Sequence, residues 1–243
     1  MKAFNRIVSL VFILAVPLFC VLSVTRLLVL ATSTYEQALI QGQAELVTGI
    51  SLEQLTAVNS QIRDYLLGFT NAPLWINVVT TEGVSLRIFN EREVAHMVDV
   101  RNLMQFFWKI HDGLFVLILS SLTISFITFR NDPLLRIAVD VRLASLTGIG
   151  LFVILATLIF TGFDSAFYKF HELMFTNDLW ILNEANDRLL QMYPMDFWYW
   201  VTFRLAVATT FVIALMFGSS QLYLKIRKSE SDGRPESIVR WLS

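Results

Sequence analysis

Residues 90–129 read NEREVAHMVDVRNLMQFFWKIHDGLFVLILSSLTISFITF and decide how this chain folds. The stretch opens with Asn90 and Glu93, a capping signature in which each side chain can bond the other residue's backbone N–H. It closes with an apolar run, 113–129, close to the length that crosses a bilayer. We therefore predict a helix that begins in a polar segment and runs toward this apolar run.

Three further apolar runs lie at 7–31, 143–163 and 198–224. The chain has 243 residues, of which 55% are hydrophobic and 16% charged, and together with runs of this length such a balance is typical of a polytopic membrane protein. The first run could be a signal peptide, but it exceeds the usual apolar core of one, so we interpret it as a retained helix. A net charge of −1 without a basic block argues against a nucleic-acid partner.

Charge predicts the orientation of the four helices. Basic residues precede the first run, separate the second from the third, and follow the fourth, and short cytoplasmic segments carry an excess of Lys and Arg. The other two connections are acidic and are predicted to lie outside the cell. The predicted segments are transmembrane helices at 7–31, 107–129, 143–163 and 198–224, extracytoplasmic segments at 32–106 and 164–197, and cytoplasmic segments at 130–142 and 225–243.

The larger extracytoplasmic segment, 32–106, is predicted to fold. Ser51 and Gln54 form a second capping signature, apolar residues follow at helical spacing, and Gly68 offers a stop. Alternating apolar residues on either side of Gly83 predict a β-hairpin. The expected fold class is thus a mainly α, four-helix transmembrane protein with a small α+β extracytoplasmic segment made of a helix, a β-hairpin and a helix.

The three histidines are the main candidates for chemistry. His96 and Asp99 lie three residues apart on one helix face, where a carboxylate can orient the ring and favour its protonated form. His96 precedes the second apolar run and His171 follows the third, so both are predicted near the outer membrane surface, where they could meet. The simpler interpretation of a single interfacial histidine is an amphipathic anchor, and His111 fits that interpretation best.

Two other features carry weaker predictions. Arg204 lies about two turns into the fourth run, and an ionisable residue at that depth is by default a functional candidate. Its alternative is a side chain that extends to the membrane surface. The aromatic residues at 197–200 are most simply part of an interfacial belt. Composition and spacing alone thus indicate a four-span membrane protein without naming its function.

Two stretches resemble a known family. IFNEREVAHMVDVRNL at 88–103 and HELMFTNDLWILNEANDRLLQMYPMDFW at 171–198 are similar to the bacterial lipoprotein intramolecular transacylases, as is TGISLEQL at 48–55. The resemblance extends over nearly the whole chain up to Lys225. It implies a four-span enzyme that moves the sn-2 acyl chain of a diacylglyceryl-cysteine to the α-amino group of the same cysteine, which yields a lyso-form lipoprotein.

The resemblance also implies partners and a location. The substrates would be diacylated bacterial lipoproteins or lipopeptides together with membrane lipid, and the reaction would occur at the outer leaflet of the bacterial plasma membrane. That chemistry requires no cofactor, metal or separate acyl donor. We expect the protein to act as a monomer.

Acid–base chemistry assigns roles within this reaction. An α-amine has a reference pKa of about 7.7–8.0 and must lose a proton before it attacks an ester, which calls for a base such as His. We assign His171 to the base and His96 to the acid, kept charged by Asp99; Asn177 would donate to the oxyanion. The predicted catalytic residues are His96, His171 and Asp99, and the predicted substrate-binding residues are Asn177, Arg204, Trp180 and Phe175.

Two other classes of function remain open at this point. His96, Asp99 and His171 could form a two-histidine, one-carboxylate metal site of a membrane hydrolase. Alternatively, the chain could be a non-enzymatic lipid-binding or assembly protein whose histidines only anchor it at the membrane surface.

Overall fold

The computed structural model describes residues 2–129, 132–160 and 162–232, and this part of the chain is mainly helical. Arg130 and the end of the predicted cytoplasmic tail, 233–243, lie outside the described residues. The helices are α1 (Lys2–Leu30), α2 (Thr32–Gln41), α3 (Ala44–Thr48), α4 (Leu52–Leu67), α5 (Glu91–Thr128), α6 (Pro133–Phe160), α7 (Phe163–Met174), α8 (Arg188–Met192) and α9 (Met195–Asp232). Two strands, β1 (Asn77–Val79) and β2 (Ser85–Arg87), lie between α4 and α5.

Four of the helices within the described ranges are long and apolar enough to cross a membrane, namely α1, α5, α6 and α9. The predicted fold class, a mainly α four-span protein with a small α+β segment, is therefore confirmed. Helix α5 has 38 residues, which at 1.5 Å per residue is about 57 Å, far more than the ~30 Å hydrocarbon layer. Helix α5 is therefore too long to lie wholly within the hydrocarbon layer, and its polar first half is the part expected to extend out of it.

Helix α5 begins with the predicted capping box. The Asn90 N–H donates to Glu93 Oε2 at 2.7 Å, and the Glu93 N–H donates to Asn90 Oδ1 at 2.9 Å. Each side chain thereby satisfies a backbone donor that the first turn of a helix would leave unpaired. The helix predicted to open at Asn90 and to run toward the second apolar run is present, and it continues through that run without a break.

The other predicted capping signature has a different role. Ser51 precedes α4, but its side chain makes no capping hydrogen bond. Instead, Gln54 bonds both backbone groups of Val79 in β1, accepting from its N–H and donating to its carbonyl at 2.8 Å each. Gly68 ends α4 at a φ of 84°, a left-handed conformation that glycine adopts without strain. The predicted helix and hairpin are thus present, and Gln54 joins them.

The chain divides into two compact units, each described by itself. Unit 1 comprises Met1–Val21, Asp112–Ile154 and Ala208–Ser243, and unit 2 comprises Leu22–His111 and Leu155–Val207. In unit 1, Ser9 of α1 donates to buried Asp140 of α6 at 2.9 Å, and Arg136 pairs with the same carboxylate at 3.3 Å. These contacts fasten α1 to α6.

Unit 2 holds the larger hydrophobic core and every predicted site residue. Its core packs α4 and the hairpin against the beginning of α5 and against residues 189–197. The segment 164–197, predicted as an extracytoplasmic connection, contains most of helix α7 and all of helix α8. Apolar residues recur at helical spacing in α7, but their closeness to the third apolar run hides that signal.

Candidate active site

His171 lies near the end of α7 with its ring held by the preceding turn. Its Nδ1 is 2.7 Å from the backbone carbonyl oxygen of Phe167. Because a carbonyl oxygen can only accept, the proton of the neutral ring belongs on Nδ1, which leaves a lone pair on Nε2. Among the described residues, Nε2 makes no hydrogen bond. The ring is therefore in the tautomer that a general base requires.

His96 lies on α5 and is only 6% exposed. Its neighbours Val94 and Met97 belong to the hydrophobic core of unit 2, so this turn of α5 packs in the folded segment, ahead of the apolar half of the helix. The His96 Nδ1 is buried and has no hydrogen-bond partner in the described part of the chain. The centroids of the His96 and His171 rings are 6.1 Å apart. The two histidines thus come together, as the sequence allows.

Aromatic side chains surround this pair. Phe175, which is buried, packs against both rings, with centroid distances of 5.3 Å to His96 and 5.6 Å to His171. Phe167 lies 4.3 Å and Trp180 5.3 Å from His171. All three aromatic residues follow α5 by a long stretch of sequence and are brought to the pair by α7 and the loop after it. The result is a histidine pair with apolar walls.

Burial lowers the pKa of both histidines below the ordinary value. For His96 the largest cause is loss of solvation, the nearby His171 lowers the pKa further, and Asp99 raises it by less. For His171 burial again lowers the pKa, and the hydrogen bond to Phe167 partly opposes that shift. Both rings are therefore neutral at pH 7. The sequence predicts a charged His96, and the structure favours a neutral one because burial outweighs the carboxylate.

Asp99 contacts the loop after α7 and makes no hydrogen bond to His96 within the described ranges. Its Oδ2 accepts from Asn177 Nδ2 at 2.9 Å, and Asn177 Oδ1 accepts from the Leu179 N–H at 3.0 Å. Arg92, two turns earlier on α5, donates to the backbone carbonyl of Asp178 at 2.5 Å. One face of α5 thus holds the segment that carries Phe175 and Trp180 beside the histidines.

The remaining predicted site residues lie in unlike surroundings. The side-chain amide of Asn177 is oriented by Asp99, so its role as an oxyanion donor stays a prediction. Arg204 is exposed, and its guanidinium lies 4.7 Å from the centroid of the Trp200 ring. No described contact joins Arg204 to either histidine. Its role in substrate binding likewise stays a prediction.

A network of buried polar side chains around the start of α5 is not predicted by the sequence analysis. Glu93, 1% exposed, accepts from the Leu189 N–H at 2.6 Å through the oxygen that the capping box leaves free. Asn90 Nδ2 donates to Asp187 Oδ1 at 2.7 Å, and Asp187 Oδ2 accepts from the Asn183 N–H at 2.7 Å. The capping signature identifies Asn90 and Glu93, but their partners lie far along the chain, where no local pattern identifies them.

The described residues contain no group of three His, Cys, Asp or Glu side chains placed to hold a metal ion. The two-histidine, one-carboxylate set considered from the sequence is therefore not assembled in this arrangement. The carboxylate of that set, Asp99, is bonded to Asn177 instead.

Comparison with known proteins gives a consistent result. The sequence model of a family described as lipoprotein intramolecular transacylase Lit matches residues 10–198. An uncharacterized protein of Aquifex aeolicus strain VF5 is 32% identical over 141 residues, which cover 58% of this chain and 57% of that relative. The chain thus spans a little over half the length of that relative.

Solved structures share the fold. The in meso structure of the membrane integral lipoprotein intramolecular transacylase Lit from Bacillus cereus superposes with a TM-score of 0.78 at 16% identity, covering 94% of this chain and 100% of that one. The same protein carrying a histidine-to-arginine mutation superposes with a TM-score of 0.69, covering 94% of this chain and 96% of that one. At this identity the likeness concerns the fold.

Proposed function

Because the chain belongs to the lipoprotein intramolecular transacylase family, we propose that it moves the sn-2 acyl chain of a diacylglyceryl-cysteine lipoprotein to that cysteine's α-amino group. The product is the lyso-form lipoprotein. The observation that carries the proposal is the histidine pair, in which the Phe167 carbonyl holds the His171 proton on Nδ1 while His96 lies 6.1 Å away. A base with a free lone pair therefore lies beside a second ring.

His171 Nε2 takes a proton from the α-amine as that nitrogen attacks the ester carbonyl. The new C–N bond gives a tetrahedral intermediate with a negative oxygen. When this intermediate collapses, the bond to the glycerol oxygen breaks and the protonated His171 returns its proton to that oxygen. An amide and a free hydroxyl result, with no net change in protons when the amine enters neutral. One histidine can thus act as base and then as acid.

His96 takes a second role in this scheme. Its neutral ring carries one N–H, which can donate to the oxyanion without the solvation cost of a buried charge. The buried nitrogen without a partner fits a site that is completed by substrate, since unpaired buried polar atoms are rare in folded proteins. Asp99 and Asn177 then act on the pair through the loop they fasten.

The aromatic walls supply the remaining part of catalysis. Amine and ester belong to one molecule, so the site needs to bring them into contact and exclude water, which would hydrolyse the ester. Phe175 and Trp180 lie against the histidines and offer apolar surface for the acyl chain. This positional contribution explains why the reaction would need no separate donor or cofactor.

We place the reaction at the outer leaflet of the bacterial plasma membrane, on the basis of the charge asymmetry between connections. The protein is a multi-pass membrane protein with four candidate spans. Single cysteines at Ser60 of α4 and Ser229 of α9, in a Cys20→Ala background, test the orientation in whole cells. An impermeant thiol reagent should label position 60 from outside and leave position 229 unlabelled; the reverse pattern would place the histidines on the cytoplasmic side.

The direct test is chemical. Purified protein is incubated with a synthetic diacylated lipopeptide, and the products are separated by chromatography and identified by fragmentation in a mass spectrometer. We expect a product of unchanged mass whose acyl chain has moved to nitrogen and whose glyceryl group carries a free hydroxyl. A loss of acyl mass together with free fatty acid would indicate a hydrolase. Unchanged substrate, with folded protein, would favour a binding or assembly role.

A further inference from the structure

Helix α7 carries His171 and none of its residues is buried. Its polar residues Ser165, Lys169 and Glu172 share one face, because helix neighbours are three and four positions apart. Its apolar residues cover the other side of the helix. His171 lies at the border between the two sides, next to Phe167. Helix α7 is therefore amphipathic, with a titratable ring at the boundary.

Only part of the apolar side of α7 packs against protein. The ring centroids of Phe163 and Tyr199 are 5.6 Å apart and those of Phe167 and Trp198 are 5.8 Å apart, and both partners lie in the first two turns of α9. The adjacent part of the apolar side is uncovered: Phe170 is 43% and Leu173 is 78% exposed. Leaving a leucine this accessible to water costs free energy, because burying such a side chain contributes about 1.5–3 kcal/mol.

The neighbours of α7 indicate what covers this surface. It begins at Phe163, directly after α6, and its packed side rests on the start of α9. Both of those helices are candidate membrane spans. A helix joined to the end of one span and packed on the start of another lies at the level where spans leave the apolar layer. Bilayer lipid is the apolar partner available at that level.

We propose that α7 lies in the plane of the bilayer surface with Phe170 and Leu173 inserted among the lipid chains. In-plane amphipathic helices bury their apolar face about 5–10 Å into the boundary between headgroups and acyl chains. The ester carbonyls of a diacylglyceryl group lie at the same boundary. The insertion of α7 does not depend on the proposed function. Its consequence does rest on that function: the inserted helix holds His171 at the depth of the scissile ester, so the lipoprotein reacts without leaving the membrane.

Fluorescent labels test the insertion directly. Leu173→Cys and the control Glu172→Cys are made in the full chain with Cys20→Ala, labelled with an environment-sensitive dye, and placed in nanodiscs of phosphatidylethanolamine and phosphatidylglycerol. We expect the label at 173 to be quenched by lipids brominated near the headgroup, and the label at 172 by aqueous iodide. Equal iodide quenching at both positions overturns the proposal. A label at 173 protected from both quenchers overturns it as well, because a protein surface would then cover α7.

Activity tests the consequence. With a lipopeptide embedded in nanodiscs, Leu173→Asp should lower kcat/KM about tenfold, the equivalent of about 1.4 kcal/mol, while Glu172→Ala leaves it unchanged. With a short-chain lipopeptide in detergent, both variants should match wild type. An equal loss in bilayer and detergent would show that Leu173 acts on folding and would overturn the role of depth. Absence of product with wild-type protein refutes the proposed reaction instead, and the labelling result is then judged separately.

Discussion

The three histidines of unit 2 fall into two kinds, and the difference lies in their ring nitrogens. His111 has a protein partner on each nitrogen: Nε2 is 3.0 Å from Ser23 Oγ, and Nδ1 is 3.3 Å from an Arg26 nitrogen. Arginine can only donate, so the His111 proton belongs on Nε2. In the pair, His171 leaves Nε2 available and His96 leaves Nδ1 without a partner. A ring satisfied on both sides joins helices, whereas a ring with a free nitrogen can exchange protons.

Removing a ring is the strongest way to break this comparison. We expect His171→Ala and His96→Ala each to lower the rate of lyso-form production by about 10²–10⁴-fold, the usual contribution of an acid–base group. His111→Ala serves as the matched control and should keep the wild-type rate. The measurement is the initial rate with purified protein and a diacylated lipopeptide. A normal rate in either of the first two variants would remove the pair from the mechanism.

The sequence predicts that His96 and His171 could meet, but it does not predict most of the contacts around them. Four apolar runs and three basic clusters predict that His96 and His171 lie on the same side of a membrane, and the Asn90–Glu93 capping box is fully local. The family indicated by two short motifs is confirmed by a match over residues 10–198. The partner of Asp99 is different from the predicted one, because that hydrogen bond joins residues far apart in sequence and local spacing favours His96.

Helix α7 and the Gln54 contacts show the same limit. The helical spacing within 163–174 is visible in the sequence, but its partners on α9 are not. Gln54 has the correct spacing for a capping box and bonds β1 instead, since the folded hairpin offers two backbone groups at once. Local patterns therefore predict where elements begin, while side chains that face another element are decided by tertiary contacts.

The next effect in size tests the fastening of the loop to α5. Asn177→Asp sets two carboxylates against each other and loses a hydrogen bond to a charged group, worth about 1.5–3 kcal/mol. We expect a fall in kcat of roughly tenfold or more. Asp99→Asn alone keeps an acceptor for Asn177 and should cost less.

Exchanging the residues at positions 99 and 177 separates the effect of their hydrogen bond from the effect of the negative charge at position 99. With Asp99→Asn and Asn177→Asp together, the amide at 99 can donate to the carboxylate at 177, so the contact is restored with the charge on the loop. Recovery of the wild-type rate would show that Asp99 positions the loop. If the double variant is as slow as Asn177→Asp alone, Asp99 acts through its charge on His96, as the sequence suggests.

A smaller effect concerns pH. The active base is neutral, and burial lowers the pKa of His171. Protonation of the substrate α-amine lowers kcat/KM below about pH 8, so the acidic limb that belongs to the enzyme should appear as a steeper, second fall at a pH below the ordinary histidine value. Trp180→Leu opens one wall of the site and should raise that pKa, which moves the acidic limb of kcat/KM to higher pH. The variant then loses more activity near pH 6 than near pH 8. The limb belongs to the coupled histidine pair.

The matched control for the pH series is Trp75→Leu. The guanidinium carbon of Arg87 lies 5.0 Å from the centroid of the Trp75 ring. In the described ranges, Trp75 contacts neither His96 nor His171. Its profile should coincide with that of wild type. An unshifted limb in Trp180→Leu would mean that the walls do not set the protonation of the pair, and the origin of the lowered pKa would then have to lie in the contact between the two rings.

The smallest expected effect lies at His111, where stability should change and chemistry should not. Hydrogen bonds between membrane helices contribute on average about 0.6 kcal/mol in double-mutant cycles. We expect a coupling of this order between Ser23→Ala and His111→Ala, measured as the free energy of unfolding in mixed micelles, with wild-type rates in all three variants. The bond joins α1 to α5, so its loss loosens two helices without touching His96 or His171. A coupling near zero would mean that Arg26 alone satisfies the ring, whereas a fall in rate that exceeds the fall in folded protein would place His111 with the reacting pair and erase the distinction between the two kinds of histidine.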